Sequence, residues 1–281
     1  MSSKAAVAGI MCLIMLLCVL LLTHTVMKDQ GIAERTDKDA AKKTEIVRKS
    51  ATGTEMPSSR LLTKIRESRQ ILRQDQENIP EEAEVSAPFV SQRPELPNGC
   101  EVTSLTMLLR SAGIPADKMT LAAQMEKVPF SSGKFNGNPN EGFVGNMYNG
   151  DKAHPGLAVY HGPVADLAGK YLGNRVVDFT GSSWNKVEEQ LAEGHPVWVI
   201  TSINFVPVAD SQWVNWHTRQ GDMKVSFQEH SVLLTGYDKN HVRFNDPLSR
   251  SGGTRIAVKS AFVTAWEQFG RQAITYHSVE K

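Results

Sequence analysis

The stretch Leu96-Pro-Asn-Gly-Cys100-Glu-Val-Thr-Ser-Leu-Thr-Met-Leu-Leu-Arg110 contains a turn followed by an apolar helix, with a cysteine at the junction. After Cys100, apolar residues recur three and four positions apart, which is the period of a helix face buried against a core. Pro-Asn-Gly is typical of a turn and helix start, so the sequence predicts Cys100 in the first helical turn. A helix N-terminus carries partial positive charge, and we therefore expect the pKa of this thiol to be lowered.

Cys100 is one of three cysteines in the 281-residue chain, and the other two, Cys12 and Cys18, lie in an apolar N-terminal stretch. The rest of the chain therefore has no partner for an internal disulfide, and three cysteines do not provide a cysteine-rich zinc site. A free cysteine is often a small buried hydrophobe. An inert core residue is thus the alternative to a reactive thiol.

A second feature is a predicted hairpin near the C-terminus. The strand beginning Glu229-His230 is followed by a turn around Asp238 and by a strand that ends at Asp246, before a proline. Antiparallel pairing brings His230 and Asp246 together, as is required for a carboxylate to orient an imidazole that faces a nucleophile. Asp246 could instead be a strand-end turn residue, and Asp238 is a rival orienter, although it lies at the far bend.

Three blocks of this sequence resemble the C39-like cysteine peptidases of bacteria, a branch of the papain-like fold. They are Gln92 with Leu-Pro-Asn-Gly-Cys-Glu-Val-Thr-Ser-Leu, then Gly-His-Pro-Val-Trp-Val from Gly194, then Glu-His-Ser-Val-Leu-Leu-Thr-Gly-Tyr-Asp from Glu229 with Asn-Asp-Pro beyond it. The resemblance implies that Cys100 is the nucleophile, His230 the general base, Asp246 its orienter and Gln92 a donor to the oxyanion. Gln92 could alternatively cap a turn.

The order of predicted elements indicates an α+β architecture, because helices come first and strands dominate later. This order favours a nucleophile helix packed on an antiparallel sheet, and the resemblance to C39-like peptidases implies that the fold is papain-like. The segment between the strand ending near Ser202 and His230 shows no clear period. It contains Phe205, Trp213 and Trp216, and we expect it to form a wall of the substrate groove, with burial over a sheet edge as the alternative.

The chain divides into three predicted regions. Residues Ala5 to Thr23 are uncharged and long enough to cross a bilayer, so 1–27 is predicted to be a single membrane-spanning anchor, with an uncleaved or cleaved signal peptide as the alternative. Residues 28–84 are polar, lack aromatics and should form a disordered stalk. The hydrolase domain is predicted at 85–281. Basic residues after the span favour a cytoplasmic domain by the positive-inside rule, whereas the family resemblance favours the cell surface.

The net charge of +1 gives no reason to expect a nucleic-acid partner, and no cofactor or metal site is expected. The predicted function is cysteine-dependent hydrolysis of a peptide or amide through a thioester acyl-enzyme. Two alternatives stay open: an acyltransferase with the same triad, and a catalytically silent surface domain that binds peptide or wall polymer. The sequence does not specify the substrate or the oligomeric state.

Overall fold

The computed structural model describes residues 79–149, 151–250 and 252–278. The helices in these ranges are α1 Cys100–Ser111, α2 Lys118–Gln124, α3 His161–Leu172, α4 Trp184–Ala192 and α5 Lys259–Gln268. The strands are β1 Ala83–Glu84, β2 Lys127–Val128, β3 Ser131–Ser132, β4 Phe135–Asn136, β5 Phe143–Val144, β6 Val176–Asp178, β7 Val197–Ser202, β8 Val214–Thr218, β9 Gly221–Val225, β10 Glu229–Tyr237, β11 His241–Asn245, β12 Thr254–Val258 and β13 Ala273–Tyr276.

The fold is mixed α/β and is organised around one antiparallel sheet of seven strands. Its order is β12-β11-β10-β7-β13-β6, and β1 also pairs with β10. Helix α1, which begins at Cys100, packs on this sheet, as the sequence predicts. The connection between β10 and β11 is the predicted hairpin, and its register sets Leu233 opposite Asn245.

The two faces of the sheet bury different helices, because successive side chains of a strand point to opposite sides. Trp198 and Leu233 pack with apolar residues of α1 and α3 in one cluster. Val197 and Val232 pack with residues of α4 and α5 in the other. Every residue of β7 and β10 is buried. These two central strands therefore hold the neighbouring chain segments in fixed positions.

The last residues of the predicted stalk pack on this sheet. Ala83 pairs with Tyr237 in β10, and the Tyr237 hydroxyl donates to the Pro80 carbonyl at 2.8 Å. Gly236 is needed at this contact, because a Cβ there would lie 2.6 Å from the Ala83 carbonyl oxygen. Residues 79–84 thus belong to the folded unit, which reaches beyond the boundary predicted at residue 85.

The segment before β10 is more regular than the sequence suggested, since β8 and β9 form a separate two-stranded hairpin. Trp216 points into a small core, where its indole nitrogen donates to the Gly137 carbonyl at 2.7 Å and its ring meets Phe130 edge to face. Trp213 packs against Phe269. These tryptophans pack within the domain, which favours the burial alternative for them over the groove wall.

Within the described ranges, no helix combines the length and the apolar character needed to cross a bilayer. The predicted anchor, Ala5 to Thr23, lies outside those ranges and stays a prediction.

Candidate active site

The turn before α1 fixes where Cys100 lies. Gly99 is the residue before the helix, and its amide donates to the Leu96 carbonyl at 3.0 Å. A side chain at Gly99 would bring a Cβ within 2.7 Å of the Leu96 Cβ. The start of the helix is also tied to β7, because the Trp198 indole donates to the Glu101 carbonyl at 3.0 Å. Cys100 is therefore held in the first turn of α1, where it is 7% exposed.

His230 and Asp246 meet at the ends of the β10–β11 hairpin. The Nε2 atom of His230 lies 2.8 Å from Oδ1 of Asp246, and each side chain is only 2% exposed. The same Oδ1 accepts the Leu248 amide at 2.9 Å. With Nε2 engaged, the Nδ1 atom is the ring nitrogen left for other chemistry.

Arg255 completes the charged group around Asp246. Its guanidinium donates to Oδ2 at 2.7 Å, and it lies 4.8 Å above the ring of Phe205. Burial raises the pKa of Asp246, but hydrogen bonds from His230 and Arg255 outweigh burial and lower this pKa to about 2. Asp246 is therefore a carboxylate at neutral pH.

The structure does not join the thiol to the imidazole. His230 shares its strand face with Val232, and its ring contacts Phe205 at 6.1 Å between centroids. The next residue, Ser231, faces α1, where its carbonyl accepts the Ser104 hydroxyl at 3.1 Å. The Cys100 thiol instead donates to the Glu101 carboxylate at 3.3 Å. No hydrogen bond links Cys100 and His230 in the part of the chain that the structure describes.

Two buried carboxyl groups surround the thiol. The sulfur of Cys100, one carboxyl oxygen of Glu101 and one of Glu229 all lie within 4.8 Å of one another. Glu101 also accepts the Val159 amide at 2.8 Å, whereas Oε1 of Glu229 is buried without a hydrogen-bond partner among the described residues. This is an acidic, poorly solvated setting for a nucleophile.

The surroundings raise the thiol pKa, contrary to the expectation from the helix N-terminus. Burial raises the pKa of Cys100 most, and the charges of Glu101 and Glu229 raise it further. Burial also raises the pKa of Glu101 to about 7. The pKa of Glu229 is raised mainly by burial and, to a smaller extent, by repulsion from Glu101. A partial helix charge does not offset the desolvation of a thiolate beside two acids.

Gln92 is buried beside the turn that precedes the nucleophile. Its side-chain nitrogen donates to the carbonyls of Leu96 at 3.0 Å and Pro97 at 2.8 Å, and its backbone amide donates to the Pro247 carbonyl at 2.9 Å. Both amide hydrogens are thus committed to the turn. This geometry matches the turn-capping alternative, and it also ties the nucleophile turn to the segment that follows Asp246.

The match with known proteins extends over the same residues. The model of the Peptidase_C39 like family matches residues 84–274. The chain belongs to the C39-like peptidase family. A Bacillus subtilis (strain 168) protein named "Uncharacterized protein YvpB" is 48% identical over 183 residues, which are 64% of this chain and 70% of that protein. A crystal structure from Bacillus anthracis, described as a C39-like peptidase, is 43% identical, with a TM-score of 0.68 over 72% of this chain and 100% of that one.

Sequence reasoning missed three side chains of this C39-like site, which are Glu101, Glu229 and Arg255. Glu101 and Glu229 are each adjacent in sequence to a predicted catalytic residue, and that adjacency was an available signal. Arg255 carried no such signal, because a surface arginine is common, and Phe205 was predicted only as part of the groove wall. Asp238, the rival orienter, bonds to Arg243 at 3.1 Å and to His241 at the hairpin bend.

Proposed function

We propose that this C39-like domain is a cysteine-dependent hydrolase of peptide or amide bonds, with Cys100 as nucleophile, His230 as base and Asp246 as orienter. The observation that carries the proposal is the buried 2.8 Å hydrogen bond between His230 Nε2 and Asp246 Oδ1. A carboxylate in this position fixes the ring tautomer and stabilises the imidazolium that forms during the reaction. Membership of a peptidase family supports the same conclusion.

Cys100 is bonded to Glu101 and His230 faces the other side of the sheet, so the proposed reaction requires both side chains to move before the thiol proton passes to His230 Nδ1. The sulfur then attacks the substrate carbonyl carbon, and the tetrahedral intermediate collapses as the carbon–nitrogen bond breaks. The imidazolium returns its proton to the departing amine. Water, deprotonated by His230, hydrolyses the thioester and regenerates the thiol. Asp246 stays ionised throughout, since its pKa is about 2.

The oxyanion of the intermediate is proposed to bind at the turn before α1. The backbone N–H of Cys100 is available, because the first amides of a helix have no partner within the helix. Gln92 is the proposed second donor, and one of its two amide hydrogens must leave Leu96 or Pro97 to reach the oxyanion. Losing one such donor costs about a hundredfold or more in turnover.

One observation favours a second candidate function, a silent peptide-binding domain. The thiol of Cys100 is bonded to Glu101 rather than to His230, and its pKa is raised by burial. A domain that binds without cleaving needs no contact between thiol and imidazole.

The test is covalent labelling of the purified full chain with an epoxide thiol probe, followed by intact mass. We expect a single label on Cys100, and a much slower rate in His230→Ala. The matched control is His217→Ala, which removes an exposed histidine paired with Asp222 on the β8–β9 hairpin. Equal rates for wild type and His230→Ala would refute the hydrolase and support the silent domain. The products formed from a peptide library, with water alone or with an added amine as acceptor, then distinguish hydrolysis from acyl transfer.

We also propose that Ala5 to Thr23 anchors the chain in the membrane and that the hydrolase domain lies outside the cell. The uncharged length of this stretch supports the anchor. Protease added to intact cells should then degrade the domain. Degradation only after lysis would refute the external location.

A further inference from the structure

The cluster of Cys100, Glu101 and Glu229 offers one sulfur and two carboxyl groups as ligands and contains no basic side chain. One donor atom of each residue lies within 4.8 Å of the other two. Their exposed fractions are 7%, 0% and 9%, so the carboxyl groups are largely withdrawn from water. Buried acids normally pair with a cation or a hydrogen-bond donor, because an uncompensated buried charge is costly.

Glu229 provides an independent indication of a ligand. Its Oε1 atom is buried and makes no hydrogen bond with any described residue, while its carboxylate faces the thiol and Glu101. Among the residues that the structure describes, no basic side chain is a cause of the raised pKa values of Glu101 and Glu229. A polar atom in this state has its lone pairs free for an incoming cation.

We propose that Cys100, Glu101 and Glu229 form a binding site for a divalent metal ion of the zinc type, which reversibly blocks the nucleophile. A thiolate together with two carboxylates is a donor set that Zn²⁺ accepts, with water in the fourth position. Hard cations such as Mg²⁺ and Ca²⁺ avoid sulfur, so the thiol selects against them. The thiol proton, together with any proton held by the Glu101 or Glu229 carboxyl group, leaves to solvent as the bonds to zinc form.

The geometry requires only small movements. Tetrahedral zinc with bonds of about 2.0–2.3 Å holds its ligand atoms about 3.5 Å apart, and the donor atoms of the cluster lie within 4.8 Å of one another. The Cys100 sulfur is already 3.3 Å from Glu101. Rotation of the Glu229 side chain therefore accounts for most of the adjustment.

The site differs from the obvious alternative, a metal held by Cys100 and His230. His230 is committed to Asp246 through Nε2 and faces the other side of the sheet. Zinc binding at Cys100, Glu101 and Glu229 therefore does not depend on His230, and the His230→Ala variant distinguishes the two sites. The inhibitory consequence rests on the proposed hydrolase, whereas the metal site itself does not.

The experiment is a titration of the full chain with Co²⁺, followed by displacement with Zn²⁺. We expect one equivalent of Co²⁺ to produce a thiolate-to-metal charge-transfer band in the near ultraviolet and Zn²⁺ to abolish it. Glu229→Gln should weaken binding on the order of 100-fold, since even outer-shell changes cost about 10–100-fold. His230→Ala and the exposed control Glu82→Gln should bind as wild type.

Circular dichroism checks that each variant is folded. If Glu229→Gln does not fold, a second measurement tests the same site. One equivalent of Zn²⁺ should protect Cys100 from iodoacetamide in wild type and equally in His230→Ala. The proposal is overturned by the absence of a charge-transfer band and of protection, or by loss of either in His230→Ala. A charge-transfer band in a protein that does not hydrolyse peptides would support the metal site and refute the proposed hydrolase activity.

Discussion

Replacing Asp246 by Asn tests the charged group of His230, Asp246 and Arg255. The pKa of Asp246 falls from 3.8 to about 2, because hydrogen bonds from His230 and Arg255 outweigh the opposing effect of burial. This difference corresponds to roughly 2 kcal/mol of folding free energy at neutral pH, since one pKa unit is worth about 1.4 kcal/mol. The Asp246 side chain is 2% exposed, but Arg255 is 49% exposed, so solvent screening weakens the contribution of Arg255 to this value.

The sign of the pH dependence follows from the lowered pKa. A carboxyl group whose pKa is lower in the folded state stabilises the fold above its unfolded value, and it loses that contribution as the pH falls through the folded value. Urea unfolding of wild type and Asp246→Asn should therefore differ by roughly 2 kcal/mol at pH 7, with the difference shrinking as the pH falls from 3.8 to about 2. Asp210→Asn, at an exposed position, is the control.

A difference between the two proteins that stays constant across that pH window would refute the reasoning, because it would mean that the charge of Asp246 does not stabilise the fold. The same variant should also reduce turnover. Asn keeps an oxygen for His230 but does not stabilise an imidazolium, and the loss in such a triad is roughly 10⁴-fold. Full activity would remove Asp246 from the mechanism.

Three further outcomes are expected. Removing residues 1–78 should leave thermal melting unchanged, whereas removing 1–84 deletes β1 and should lower the Tm by roughly 5 °C. The iodoacetamide rate of Cys100 should stay low at neutral pH and rise only under alkaline conditions, and Glu229→Gln should move that rise to lower pH, because repulsion of the thiolate is removed. Trp216→Ala should cost about 3–5 kcal/mol in urea unfolding, since the ring is only 6% exposed.

Each outcome has a contradicting result. Equal melting of the two truncations would mean that β1 adds no stability to β10. A thiol that reacts fast at neutral pH would show that the helix N-terminus dominates over burial. A folded and stable Trp216→Ala protein with altered substrate affinity would support the predicted groove wall instead of burial. Trp213→Ala is the comparison variant.

The sequence by itself determined the local elements of this domain. Apolar residues three and four apart after Cys100 define the nucleophile helix, and the turn residues before it define where it begins. A run of apolar residues followed by a turn around Asp238 defines the β10–β11 hairpin. Because pairing within a hairpin is local, the approach of Asp246 to His230 could be predicted without knowing the rest of the fold.

Only the tertiary structure decided which side chains surround the thiol. Glu101 and Glu229 come from elements 128 positions apart, and the packing of α1 on β10 brings them together. The same packing turns His230 away from Cys100, because adjacent residues of a strand face opposite sides. Burial then reverses the thiol pKa expected from the helix end. Periodicity reports which face of an element is apolar, but burial and charge at a site depend on what the other elements place against it.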